Sequence, residues 1–323
     1  MTSTIHIRCG SDLERALPLA GYDGDFLEWT DPVCQGPVTG PVADDRYFDA
    51  RARFIADDWG YDYDETIALL REQTWRLDAL DGYDRVILWF EHDIFDQAIL
   101  MRLCAELQGR SRLHDRLFIQ TINNFPGEER FVGFGQLSPD QIATLKGQEK
   151  RVTAEMLDFG AKAWRAYSDS DPMMFWQLSQ AAPETFPFLS AAAKRFFQDY
   201  PWTGDGLSLS ERHCLRVIAG GVEKAGYVFR DTQSIHEPQP FMGDVMFWAI
   251  LKHLSAADAP AITRIEGWTD AVELTPFGED LLAGDADWTA RNGIDRWFGG
   301  VHLTGKSPAW RWDEVAQSPV ATA

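Results

Sequence analysis

The sequence predicts an α/β fold: a doubly wound, mostly parallel sheet at the N-terminus, followed by a helical, winged-helix-like domain. Three observations carry this. Short apolar strands alternate with helical stretches over roughly residues 4–125. One of them, Arg85-Val-Ile-Leu-Trp-Phe90, is apolar almost without interruption, as a central strand covered on both faces must be. Beyond residue 205 the pattern becomes helix, helix, hairpin, helix. A chain of 323 residues is long enough for two cores. The expected boundaries are 1–135 for the α/β domain, 136–204 for a helical bridge, and 205–323 for the winged-helix-like domain with a Trp- and Gly-rich tail.

Taken in order, Ile5 to Cys9 reads as a buried strand and Leu13 to Ala20 as a helix stopped by Gly21. Phe26 to Trp29 is a second strand, and a loop rich in Gly and Pro follows it from Asp31 to Pro41. Helices are expected over 46–59 and 64–80, the latter with Ile67, Leu70, Leu77 and Leu80 near one face. After the Arg85 strand come a helix over 95–107 and a strand over 117–122. Right-handed crossovers place the Ile5 strand between the other two early strands, so the connection reverses between the Ile5 and Arg85 strands. Open α/β sheets bind ligands beyond the strand ends at such a point.

Ser138-Pro-Asp-Gln141 and Ser208-Leu-Ser-Glu211 are capping boxes that open helices. Asp244 to Leu254 is apolar nearly all round and reads as core. The segments 262–266 and 271–274 are expected to pair as a wing around Trp268, and Thr275-Pro276 to cap a last helix ending at Gly284. Pro319 to Ala323 are expected to be loose.

Lys and Arg number 30 against 50 Asp and Glu, a formal charge of −20. Such a field opposes phosphate backbones and anionic lipid, which argues against nucleic acid as a partner. The start lacks a secretory signal, and no run of about 18 apolar residues is present to span a membrane. Four scattered cysteines, Cys9, Cys34, Cys104 and Cys214, fit thiols in a reducing cytoplasm better than a disulfide frame or zinc site. His213, His253 and His302 stand alone and are expected to be hydrogen-bonded structural residues.

The chemistry concentrates where an apolar strand ends in Glu91-His92-Asp93-Ile-Phe-Asp96-Gln97. Clustered carboxylates must be protonated, paired or bridged by a cation. Glu91, Asp93 and Asp96 would suit a hard ion such as Mg²⁺ or Mn²⁺. Glu91, His92 and Asp93 are the candidate catalytic groups, with His92 able to serve as general acid or base. The plain reading is a capped helix start. Gly10-Ser11-Asp12, at the first strand-to-helix turn, offers close backbone approach and a helix N-terminus to a ligand, or a simple cap. Asp31 is expected to project from the neighbouring strand end into the same crevice, or to belong to an Asp-Pro turn, and Gln97 is expected beside Asp96 in the first helical turn as a ligand-binding group. No GxGxxG or P-loop is present, so no dinucleotide motif supports a cofactor.

These stretches together carry a resemblance. His6 with Gly10-Ser-Asp12, Trp29-x-Asp31 with Gly36-Pro37, and Leu88-Trp-Phe-Glu-His-Asp-x-Phe-Asp-Gln97 resemble the bacterial family named domain of unknown function 1835, over about residues 4–125. The resemblance implies a shared α/β domain and no particular reaction. Glu91-x-Asp93 at a strand end is similar, more distantly, to the Mg²⁺-binding acidic pair of Toprim domains, although Cys9-Gly10 stands where those domains have Glu-Gly.

Three functions follow as expectations. The first is a hydrolase- or transferase-type enzyme acting on a small phosphorylated or nucleotide-like molecule. The second is a non-catalytic regulator that senses a ligand and contacts a protein partner or a second copy through its C-terminal domain. The third is nucleic-acid processing in the Toprim manner. Between residues 205 and 285, six Lys/Arg face thirteen Asp/Glu, which favours protein contact over DNA reading.

Overall fold

The computed structural model describes residues 3–322. The chain divides after Ala192 into two compact units.

The first unit is built on a five-stranded, mostly parallel sheet. Its strands are β1 (Thr4–Arg8), β2 (Asp25–Glu28), β3 (Arg85–Phe90), β4 (Leu117–Thr121) and β5 (Lys150–Arg151), in the order β2-β1-β3-β4-β5. All neighbours are parallel except the β4–β5 pair. The expected placing of β1 between β2 and β3 is therefore met, and the chain crosses from one side of β1 to the other between β2 and β3. Arg8, the last residue of β1, stands opposite Glu28, the last of β2, and Trp89, one rung before the end of β3.

Both faces of β3 are buried, which explains its unbroken apolar run. Ile87 and Trp89 join a core with Leu13, Leu17, Phe131, Phe134, Leu137 and Ile142. The alternate residues Val86, Leu88 and Phe90 point to the other face. The crossover helices are α1 (Ala16–Leu19), α2 (Asp45–Trp59), α3 (Tyr63–Arg76) and α4 (Ile94–Leu107). Asp44, Asp62 and Asp93 cap the last three by accepting from backbone N–H groups. The expected single helix over 64–80 ends at Arg76 and tightens into a 3₁₀ turn over 77–82.

Residues 136–192, read from sequence as part of a bridge, belong to this first unit. Ser138 opens α5 (Pro139–Ala143) with the expected reciprocal capping box. Helix α6 (Ala154–Tyr167) lies against α4, and Gly160 permits the approach: a Cβ there would sit 2.5 Å from that of Cys104. Helix α7 (Pro172–Gln180) packs on α6.

After α8 (Leu189–Phe197), the second unit holds α9 (Leu209–Ala219), α10 (Ala225–Asp231), α11 (Asp244–Ala256), α12 (Pro276–Ala283) and α13 (Trp288–Asn292). Ser208 and Glu211 form the second expected capping box, and Thr275 caps α12, which stops at Gly284 in a left-handed conformation. α11 buries Met246, Phe247, Ile250, Leu251 and Leu254, in keeping with its apolar composition. The expected wing shrinks to one bridge, Ile262 with Leu274, beside a bond from Thr263 N–H to the Glu273 carbonyl (2.9 Å). The tail forms two hairpins instead: β6 (Ile294–Gly299) with β7 (Val301–Gly305), and β8 (Trp310–Asp313) with β9 (Ser318–Ala321). Pro319 to Ala321, expected to be loose, thus lie in a paired strand, while Ala323 is outside the described residues.

None of the four cysteines forms a disulfide. Among the described residues no helix is long and apolar enough to cross a membrane.

Candidate functional site

The acid-rich end of β3 and the turn after β1 meet around one side chain that sequence reasoning passed over, Arg8. It shares a sheet face with His6, Trp89 and Glu91 through strand alternation and register. His6, below it, is a settled structural group: Nδ1 accepts from Trp89 Nε1 (3.1 Å), so Nε2 carries the proton donated to the Asp23 carbonyl (3.3 Å). Burial lowers the His6 pKa and keeps it neutral.

Arg8 donates in five directions. Nε and Nη2 fork onto Asp12 (3.1 and 3.2 Å), Nη2 also reaches Glu91 Oε1 (2.7 Å), and Nη1 reaches Asp96 Oδ1 (2.5 Å) and the Trp89 carbonyl (3.3 Å). A guanidinium has five N–H groups, so each has a partner. Asp96 further accepts from Glu91 N–H (2.6 Å) and the Cys9 thiol (3.1 Å). Burial raises the Cys9 pKa, so this thiol is a donor and not a nucleophile.

Four carboxyls therefore surround a single cation. Glu91, Asp93 and Asp96 are only 3–4 % exposed, whereas the Asp12 side chain keeps 32 % of its surface. Burial, and then the charge of Asp96, push Asp93 up to about 8 against the pull of two backbone N–H groups and Arg8. The same two causes raise Glu91 well above the usual carboxyl range. At neutral pH this corner keeps protons that solvent-exposed acids would have lost.

A strap closes the corner. Phe134 N–H donates to Glu91 Oε1 (2.5 Å), and the flanking glycines fit against the acids. A Cβ on Gly133 would lie 2.5 Å from Glu91 Oε2, and one on Gly135 would lie 3.2 Å from Asp12 Oδ2. Nothing in the sequence around Phe131–Leu137 announced this role, because strap and acids are about forty residues apart.

The other candidates fall as follows. Asp93 caps α4, accepting at Oδ1 from Phe95 N–H (2.8 Å) and Asp96 N–H (3.1 Å), as the plain reading of a capped helix start expects. Gln97 donates to the Glu91 carbonyl (2.5 Å), while its Oε1 is buried without a partner. His92 takes no part in the hydrogen-bonded cluster. Its ring lies near Phe131 and Phe188, its Nδ1 is buried and unpartnered, and burial lowers its pKa.

The expected helix N-terminus at Gly10-Ser11-Asp12 is absent. Residues 11–15 form turns, α1 starts only at Ala16 without a side-chain cap, and Asp12 is engaged by Arg8 instead. Ser11 is exposed, and the space over Gly10 meets only Asp12.

Asp31 is not at this corner. It lies buried in a second cluster, accepting from Arg51 Nε (2.8 Å) at Oδ1, and from Tyr47 OH (2.5 Å) and Arg102 Nη1 (2.7 Å) at Oδ2. Arg102 also stacks between Trp29 and Tyr47. Burial opposes the charge of Asp31, but the two guanidiniums overcome it and hold its pKa below the ordinary value.

Glu91, Asp93 and Asp96 each offer an oxygen within 4.8 Å of the others, close enough to share an ion, and oxygen donors suit Mg²⁺ or Mn²⁺. Arg8, however, already holds an oxygen of Glu91 and of Asp96 and supplies the positive charge. A divalent ion would therefore compete with that guanidinium for the same carboxylate oxygens. No family model matches the chain, and no curated protein matches it.

Proposed function

We propose that the first unit is an acid–base enzyme for a small phosphorylated or nucleotide-like molecule held at the carboxyl ends of β1 and β3. The observation that carries this is the charge imbalance around Arg8: buried carboxyls outnumber the one cation, and burial pushes Asp93 up to about 8. A general acid works best with its pKa near the operating pH.

The anionic group of the substrate would take the place of Asp12, the most exposed of the carboxyl partners of Arg8 and the one held at the longest distance. Asp93 would donate the proton, and Glu91 would steady the guanidinium and the strap. Buried oxygens without partners at Gln97, Gln120 and Thr121, all near the ends of β3 and β4, support a polar guest at this edge. Mg²⁺ or Mn²⁺ would enter only by exchanging with Arg8.

Thermal denaturation with sugar phosphates and nucleoside monophosphates tests the reading. Stabilisation is expected in the wild type and lost in Arg8→Met, while Asp93→Asn should keep binding and lose turnover. A chain indifferent to every phosphorylated compound would overturn it.

For residues 208–283 we propose a winged-helix-like arrangement used for protein contact. Support comes from three helices, α9 to α11, followed by extended segments that bridge Ile262 to Leu274 and Ala271 back to Lys224. The acid excess there disfavours DNA. A folded Glu91/His92/Asp93 triple-alanine chain with normal cellular activity would favour a regulator built on this surface over an enzyme. A cytoplasmic location accords with four thiols and no disulfide.

A further inference from the structure

In the second unit, His213 of α9 departs from the expectation of a satisfied structural residue. It is 8 % exposed, and neither ring nitrogen has a hydrogen-bond partner. A buried polar atom left this way costs about 1–3 kcal/mol and calls for a ligand or water. The two lone-pair and N–H positions of one ring are thus both unspent.

Its neighbour is His236, whose ring centroid lies 5.9 Å away at an interplanar angle of 31°. His236 is exposed, and it ends a π turn, Thr232–His236, that continues α10. The turn is closed by Glu237 N–H donating to the Thr232 carbonyl five residues back (2.8 Å). Turns of this kind insert an extra residue and recur at functional sites. Arg195 grips both Glu237 oxygens at 2.7 Å, which anchors the residue following His236. The turn therefore presents His236 over His213 from a fixed support.

We propose that His213 and His236 form a two-imidazole site for a borderline divalent transition metal, of the Zn²⁺, Ni²⁺ or Cu²⁺ class. A separation of 5.9 Å is within the span reached when two ring nitrogens share an ion about 2.0–2.1 Å from each. Imidazole donors select these ions over Mg²⁺ and Ca²⁺, which demand oxygen. The Glu237 carboxylate is committed to Arg195, so the remaining coordination positions fall to water or to an incoming ligand on the solvent side. The site is accordingly an exchangeable one.

The test uses the full chain without an affinity tag, titrated with Zn²⁺ and with Ni²⁺ by calorimetry and thermal denaturation. One ion per chain and a raised Tm are expected, with Mg²⁺ silent. His236→Ala, at an exposed position that leaves the core intact, should weaken the ion at least about tenfold, the scale on which altered metal shells act. His213→Gln should do the same. Wild-type protein that takes up no Zn²⁺ or Ni²⁺, or a His236→Ala chain that binds as tightly as wild type, would overturn the proposal. So would loss of the ion in Asp93→Asn, which would put the metal at the acidic corner of the other unit.

Discussion

Two buried charge clusters in the first unit are built from the same residue types with opposite ratios. Around Arg8, one guanidinium serves Asp12, Glu91 and Asp96, with Asp93 alongside. Around Asp31, one carboxylate serves Arg51 and Arg102, with the Tyr47 hydroxyl alongside. Excess carboxyl can be neutralised by a proton near pH 7, whereas excess guanidinium has no such outlet, because arginine stays charged. The acid-rich cluster is therefore titratable and the arginine-rich one is fixed. Only the former has the means to move a proton.

The contrast is tested most severely at Asp31. Asp31→Ala strands two buried guanidiniums, and urea denaturation should show a loss of about 3–5 kcal/mol. The corresponding deletion at the other cluster, Arg8→Met, should cost less, about 2 kcal/mol, because the carboxyls left behind can take up protons. Equal losses at the two sites would erase the distinction. Gly133→Ala, which forces a Cβ against Glu91, should cost about 1–3 kcal/mol, and Gly135→Ala less, by chemical denaturation.

The pH dependence sharpens the same comparison. Asp93 in the folded chain titrates at about 8, above its ordinary value of about 4. Between those limits the folded state holds a proton that the unfolded state has released. Stability from this group is complete below about pH 4 and falls as pH rises towards 8, by up to about 1.4 kcal/mol per unit. Asp93→Asn should flatten that slope while preserving the helix cap; an unchanged slope would assign the proton elsewhere. The smallest effect is expected from Mg²⁺, which should leave the wild-type Tm unmoved while Arg8 holds its place. A clear rise would show that the ion displaces Arg8.

Much of the frame was legible because it is locally encoded. The strand from Arg85 to Phe90, the capping boxes at Ser138 and Ser208, and the grouping of Glu91, Asp93 and Asp96 all follow from neighbours in sequence. Arg8, Arg51 and Arg102 were not, since a lone arginine in an apolar strand or helix looks the same whether its partner lies 80 residues away or in solvent. The one available clue was Arg8 two positions after His6, on the buried face of a central strand and beside the point where the chain reverses. The tail strands after Ile294 were hidden for another reason: Trp- and Gly-rich stretches lack the alternation that marks a half-buried strand. The strap at Gly133–Gly135 is specified only by what it covers.

The far border of the five-stranded sheet has a consequence for how this protein behaves in a crowd. Its last strand, Lys150–Arg151, is two residues long, runs against its neighbour and carries two exposed cations. A foreign strand arriving there would find almost no ladder to extend and two ammonium- or guanidinium-bearing side chains to strip of water. The border is self-terminating, so concentrated solutions should stay free of edge-to-edge polymers along that side.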